Sequence, residues 1–405
     1  MKRRQIFEIG LGVATSVGGF LDVGSIATSL QAGAEFRFQL LWTVAFGTLV
    51  LVFLTEMSGR FSAVSQQTLV DAVRERFGAN VFAAVLIGVG LSSLIVLSAE
   101  IIGTCVALQL ATGISFRWWA VPVAFVAWLF LWKTTFGWIH TGIALLALVT
   151  VAFVVAAFRL HPSIGELGAG LVPGFPSHTP AHAAFLAVSI LGASLTPYLF
   201  YFYSSGTIED RWDASYLTVN RVSAVGMAFG GVVAAGVLVV AALVLAPRGI
   251  HVESLGQAAD MLTPAFGRWG FPLFVASLAI GCFGAALEVS LTVTYMTAQG
   301  LGWNWGENVR PKHAARFATL YTAIVALATI PALLGMDAIA LNNIGMALSA
   351  AVLPLLVLPF LILMNDPDYV HEHTNHWVTN GVVLVATLLA FTLAVVAIPL
   401  QIAGG

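Results

Sequence analysis

Of the 405 residues, 59% are hydrophobic and only 9% are Asp, Glu, Lys or Arg, with a net charge of −2. Soluble domains carry about a quarter charged residues, so this composition excludes a soluble globular chain and assigns most of the sequence to lipid. No basic cluster is long enough to hold nucleic acid. The two cysteines, Cys105 and Cys282, sit in apolar runs and are expected to be buried core residues rather than a disulfide or a metal pair.

Crossing the hydrocarbon core takes about 20 apolar residues. Eleven spans are predicted, at roughly 7–34, 38–58, 80–112, 117–134, 138–160, 183–206, 222–246, 269–299, 314–334, 338–364 and 378–401. Met1-Lys2-Arg3-Arg4 precedes an apolar run with no small-x-small cleavage pattern, so the first helix is expected to be retained. That span is interrupted by Gly18-Gly19-Phe20-Leu21-Asp22-Val23-Gly24-Ser25. A carboxylate at membrane depth costs about 2.5–3.5 kcal/mol or more without a partner, and a broken helix frees carbonyls that hydrocarbon cannot satisfy. A bound cation answers both problems. The competing reading is that Asp22 caps a half-helix starting near Ile26.

Residues 67–79 read as an amphipathic helix lying at the interface, and Glu100 stands inside the third span. Glu100 serves either an ion or proton path or a helix–helix polar bond. His140 opens the fifth span and reads as interfacial. The sixth span is interrupted by Gly192-Ala193-Ser194-Leu195-Thr196-Pro197-Tyr198. Interrupted helices at matching places in two halves mark the substrate sites of secondary transporters. The aromatic run Tyr198, Tyr201, Phe202 and Tyr203 follows, suited to core packing or to lining an organic cation with ring faces. A further short interfacial helix is predicted over 256–266, and Glu288, in the eighth span, reads as structural.

With the N-terminus inside, the alternation puts 12 Lys and Arg on the inner side and 5 on the outer side. The positive-inside bias therefore predicts a cytoplasmic N-terminus and, with an odd number of spans, an outside C-terminus. Ala99-Glu100 in the third span and Leu287-Glu288 in the eighth are followed at similar distance by Gly113 and Gly300, then by Trp118 and Trp305. This weak repeat, five spans apart, predicts two inverted halves at about 7–160 and 183–364, with 378–401 as an extra helix. The expected fold is all-α integral membrane, of the leucine-transporter type with helices one and six broken.

The stretch from Asp22 through Ser25, Ala27, Thr28 and Gln31-Ala32-Gly33-Ala34 resembles the first-helix pattern of the Nramp family of proton-coupled manganese and iron transporters. The likeness resumes at Glu56–Arg60, Leu69–Gly78, Ala99–Gly103, Gly192–Ser205 and Leu353–Pro359. It departs from the family where metal chemistry is concerned. Ser25 stands for the family's Asn and Val23 for its Pro. Thr196-Pro197-Tyr198-Leu199 stands for Met-Pro-His-Asn, and Tyr203 for a second His. Leu97 replaces an Asp, and the tenth-helix polar position falls at Met346, with Asn342 and Asn343 a turn upstream. The pattern is that of a divergent branch.

The resemblance implies a metal site of Asp22, Ser25, Thr196 and the Ala193 carbonyl. All four are hard oxygen donors suited to magnesium, calcium or manganese. Thr196 can instead bond back to its own helix. An ion or proton path would use Glu100, Tyr198, Tyr203, Met346 and Asn343. Tyrosine, with an ordinary pKa near 10, does not exchange its proton at pH 7 as histidine does, so weak or absent proton coupling is expected. The rival substrate class is amino acids or small organic cations on the same scaffold. Neither phosphate loop, nucleophile arrangement nor His metal pair points to an enzyme. The expected partners are a divalent metal ion as substrate and the lipid bilayer. No cofactor, nucleic acid or obligate protein partner is expected, and the setting is a bacterial inner membrane.

Overall fold

The computed structural model describes residues 22–133, 148–174, 179–306, 309 and 311–402, and within these it contains helices and turns but no strand. In chain order the principal helices are α1 (Val23–Phe36), α2 (Leu41–Ser65), α3 (Leu69–Thr112), α4 (Phe116–Lys133), α5 (Val151–Arg159), α6 (Ile164–Gly170), α7 (Pro180–Ser194), α8 (Pro197–Glu209), α9 (Leu217–Gly226), α10 (Ala228–Val244), α11 (Gly270–Gly300), α12 (Ala315–Leu334), α13 (Ala338–Met364) and α14 (Trp377–Ile402). Eight spans among the described residues are long and apolar enough to cross a membrane, or nine if the bent pair α5 and α6 counts as one. The first half of the predicted first span, including Gly18 to Leu21, and His140 at the head of the fifth lie outside the described residues.

Several sequence features map directly onto breaks. The predicted interfacial helix at 67–79 continues into the third span with a kink at Gly78, whose φ of 82° only glycine adopts at little cost. Thr68 caps that helix by accepting the Asp71 N–H. The sixth span divides into α7 and α8, because Leu195 and Thr196 leave helical geometry (φ/ψ −107/26° and −58/126°) just before Pro197. Proline lacks the N–H that would continue the ladder and sits naturally in the first turn of α8. Two expectations are corrected. The first half-helix begins at Val23, not near Ile26, because the Asp22 side chain caps it three residues earlier. Residues 256–266 do not form one helix. They fold as a 3-10 turn at Leu255–Ala258 and a short turn at Thr263–Phe266, the first held by a Ser254–Gln257 capping box.

The core is not a single sandwich of layers but a set of helices packed round α1 and α7. α1 rests on α10, α7 and α13, and α3 lies between α11 and α13. Glycines allow the closest approaches: a β-carbon at Gly33 would fall 2.3 Å from the Leu238 carbonyl oxygen of α10. Such small-residue contacts are how helices associate where lipid removes the hydrophobic drive. The outward faces of α4, α12 and α14 expose Trp118, Phe125, Leu327, Val385 and Phe391, as expected of lipid-facing surface.

Candidate cation site

The start of α1 gathers acidic side chains from separate parts of the chain. Asp22 is 1% exposed and extended (φ −99°, ψ 174°). Its Oδ1 accepts hydrogen bonds from the Ser25 N–H at 2.6 Å and the Ser25 hydroxyl at 2.7 Å. Its Oδ2 accepts one from the Tyr198 hydroxyl of α8 at 2.9 Å. Glu100 of α3, fully buried, reaches the same helix start: the Val23 N–H lies 3.0 Å from both of its carboxylate oxygens. Glu288 of α11, also buried, interacts electrostatically with Asp22.

The capping reading of Asp22 is thus part of its role. The first N–H groups of a helix have no intrahelical acceptor, and the helix dipole favours negative charge there. Capping one helix start calls for one carboxylate, however, and two reach this one, with Glu288 close enough to interact with Asp22 through its charge. Among the described residues none of the three forms an ion pair; the ion pairs present involve Arg37, Arg60, Arg76, His182 and His373. Buried charges of one sign without a counter-charge are strongly unfavourable in a medium of low dielectric. Protonation of the carboxyls or a positive guest would each relieve that cost. No three His, Cys, Asp or Glu side chains among the described residues stand as a ready metal cage. A cation at Asp22 would draw on hydroxyls, carbonyls and water as well.

The sixth-span break supplies such groups. The Thr196 hydroxyl donates to the Ala193 carbonyl at 3.1 Å, the back-bond open to a hydroxyl within its own helix. Its hydrogen is thereby directed away, and its oxygen lone pairs remain to accept. The Ser25 hydroxyl donates its hydrogen to Asp22. Thr196 is fully buried and Ala193 is 4% exposed.

Other predicted site residues divide by position. Tyr198 and Glu100 join Asp22 directly, and Met346 of α13 packs against Gly24. Asn343 does not join them. Its amide donates to Gln31 at 2.8 Å, and Gln31 in turn donates to the Val252 carbonyl at 3.0 Å. Gln31 lies eight residues past Val23, about 12 Å along the helix axis. Tyr203 is also apart from Asp22, midway along α8, edge-on to Trp212 at 6.3 Å and beside Gly59 of α2. Sequence reasoning missed the Gln31–Asn343–Val252 bridge, which joins α1, α13 and the segment after α10. Glu288, read as structural, interacts with Asp22 through its charge, and its alignment with Glu100 in the weak repeat was the available signal for that nearness.

A family model described as "Natural resistance-associated macrophage protein-like" (Nramp) matches residues 12–399. The chain belongs to the Nramp family. Among curated relatives, the divalent metal cation transporter MntH of Aeromonas hydrophila is 27% identical over 376 residues, covering 90% of this chain and 88% of that protein. MntH of Deinococcus radiodurans is 27% identical over 382 residues, covering 90% and 83%. Among solved structures, an Eremococcus coleocola manganese transporter in complex with an aromatic bis-isothiourea substituted compound superposes with a TM-score of 0.78 at 20% identity, covering 99% of this chain and 87% of that one. Mhp1, a nucleobase-cation-symport-1 family transporter, superposes at 0.56 and 14% identity, covering 96% and 91%. These likenesses establish the fold: an all-helical membrane protein of the leucine-transporter type.

Proposed function

We propose that this Nramp chain is a secondary transporter, not an enzyme, that moves a divalent metal cation across the membrane by alternating access. The observation that carries the reading is the meeting of two buried carboxyls, Asp22 and Glu100, without a basic partner among the described residues, at the start of α1. Membership in the family and the metal-transporter names of its relatives support it. Asp22 supplies the charged ligand, with the hydroxyl oxygens of Ser25 and Thr196 and the Ala193 carbonyl completing a partly hydrated, oxygen-rich site. Such donors suit Mn2+ or Mg2+. Tyr198 and Tyr203 stand where the family pattern has histidines, so transport is weakly coupled to protons or not coupled. The two halves, about 7–160 and 183–364, form the inverted repeat. The N-terminus lies in the cytoplasm, the C-terminus outside, and the membrane is the bacterial inner membrane.

Amino acids are the second substrate class this scaffold could take, with half-helix starts holding a carboxylate. Here the N-terminus of α1 is already occupied by Asp22 and Glu100, which would repel that carboxylate. Proteoliposomes holding the full chain and a pH-sensitive dye test both points. Uptake of Mn2+ and Mg2+ without acidification of the lumen is expected. Uptake of arginine with no metal uptake would overturn the metal reading, and robust metal-dependent acidification would overturn the uncoupled mechanism.

A further inference from the structure

We propose that Met346 of α13 supplies a thioether ligand to the cation at Asp22 and thereby favours manganese and softer ions over magnesium; this rests on Asp22 being the cation site. α13 meets both the start of α1 and the end of α7 at this one residue. A β-carbon at Gly192, on α7, would fall 2.1 Å from the Met346 carbonyl oxygen. A β-carbon at Gly24, on α1, would fall 2.1 Å from the Met346 methyl and 3.0 Å from each Asp22 carboxylate oxygen. The space beside Gly24 is therefore shared by the end of the thioether and the carboxylate. Glycine at both positions is what admits Met346 to it.

A buried methionine is ordinarily gap-filling core, and Met346 is fully buried. Ordinary core packing does not place the thioether end beside a carboxylate at a helix start. The wall on which it sits is also not apolar. Gly88 of α3 meets Val352 and Leu355 of α13, whereas Gly345 meets Ile95 and Val96, so the two helices run antiparallel. One further turn brings Asn342 level with Ala99 and Glu100. Asn342 stands four residues from Met346 and so on the same helix face. It is fully buried, and neither its amide oxygen nor its amide nitrogen has a hydrogen-bond partner among the described residues. Leaving such a group unpaired costs about 1–3 kcal/mol. A seam evolved for packing alone would have an apolar residue there. A wall that meets a ligand and its water would keep the amide.

The chemistry follows from the flexibility of the side chain. Methionine's terminal torsion is soft, so its methyl can swing from the carboxylate and turn a sulfur lone pair toward an ion held by Asp22. A thioether adds little for Mg2+, which prefers oxygen and water, and progressively more for softer ions. Cys282 is the other sulfur nearby: its Sγ and the Val23 side chain both crowd the point where a β-carbon on Gly103 would sit. The test must tell the two apart.

Full-length protein carrying Cys282→Ser, with or without Met346→Leu, is titrated with Cd2+, Mn2+ and Mg2+ and measured by cadmium K-edge X-ray absorption. Leucine conserves volume, so packing is retained. The Cys282→Ser protein is expected to show a sulfur scatterer in the first shell of Cd2+, and adding Met346→Leu is expected to remove it. The same change is expected to lower Cd2+ and Mn2+ affinity relative to Mg2+ by about tenfold for Cd2+ and less for Mn2+. A sulfur signal that survives Met346→Leu, or affinity ratios that do not move, overturns the proposal. Undiminished Mg2+ binding in Asp22→Asn would instead overturn the underlying reading of the site, so the two failures are distinguishable.

Discussion

The starts of α1 and α8 solve the same backbone problem with opposite chemistry. At the first, α1 begins under two carboxylates: Asp22 accepts the Ser25 N–H, and Glu100 accepts the Val23 N–H from 77 residues away. At the sixth span, α8 begins without a side-chain cap, using Pro197 to dispense with one donor and the Thr196 hydroxyl to occupy the Ala193 carbonyl. One break concentrates charge and the other offers neutral oxygen. Tyr198 joins them, standing in the first turn of α8 and donating to Asp22. Under the proposed reading, charge on one side and dipoles on the other would attract a cation without fixing a closed cage around it.

This contrast can be broken from either side. On the charged side, Glu100→Gln keeps an acceptor for the Val23 N–H but removes a negative charge close to Asp22. A charge pair this close in a partly desolvated site is worth on the order of 1–3 kcal/mol toward a cation, or about ten- to a hundredfold in affinity. Isothermal titration of Mn2+ should show that loss, and affinity within twofold of wild type would mean Glu100 acts only as a helix cap. On the neutral side, Thr196→Val keeps the shape and deletes one hydroxyl oxygen. The expected cost is about 1 kcal/mol, or roughly fivefold weaker Mn2+ binding. A loss as large as that of Glu100→Gln would contradict the assignment of charge to the first break and dipoles to the sixth.

The sequence carried the fold well because lipid leaves few solutions. Long apolar runs between Gly, Pro and charged residues became helices close to where the hydropathy placed them, and the break before Pro197 was readable from proline's missing donor. Asp22 was readable because a carboxylate at membrane depth demands an explanation. What was not readable depends on packing between distant segments. Nothing local says that Glu100 reaches the backbone of Val23, that Tyr198 turns its hydroxyl onto Asp22, or that Asn343 turns away to Gln31. Met346 shows the limit most plainly. The likeness to the family pointed to its position, but as one apolar residue in an apolar helix it carries no signature of its own, and the two facing glycines are what place its methyl beside the carboxylate. The start of α1 was misplaced by one turn for a related reason: Ile26 opens the apolar run, but the side-chain cap from Asp22 sets the helix start.

In the proposed function, the carboxylate at the head of α1 receives the positive ion. Asp22→Asn preserves its size and keeps an oxygen for the two Ser25 donors, and the Tyr198 hydroxyl can turn to accept from the new amide nitrogen, so the fold should survive. Initial rates of Mn2+ uptake into proteoliposomes, with wild type and variant reconstituted at equal density, test the claim most directly. Wild-type vesicles should accumulate Mn2+ and Asp22→Asn vesicles should not exceed empty ones; uptake by the folded variant at the wild-type rate would contradict the account.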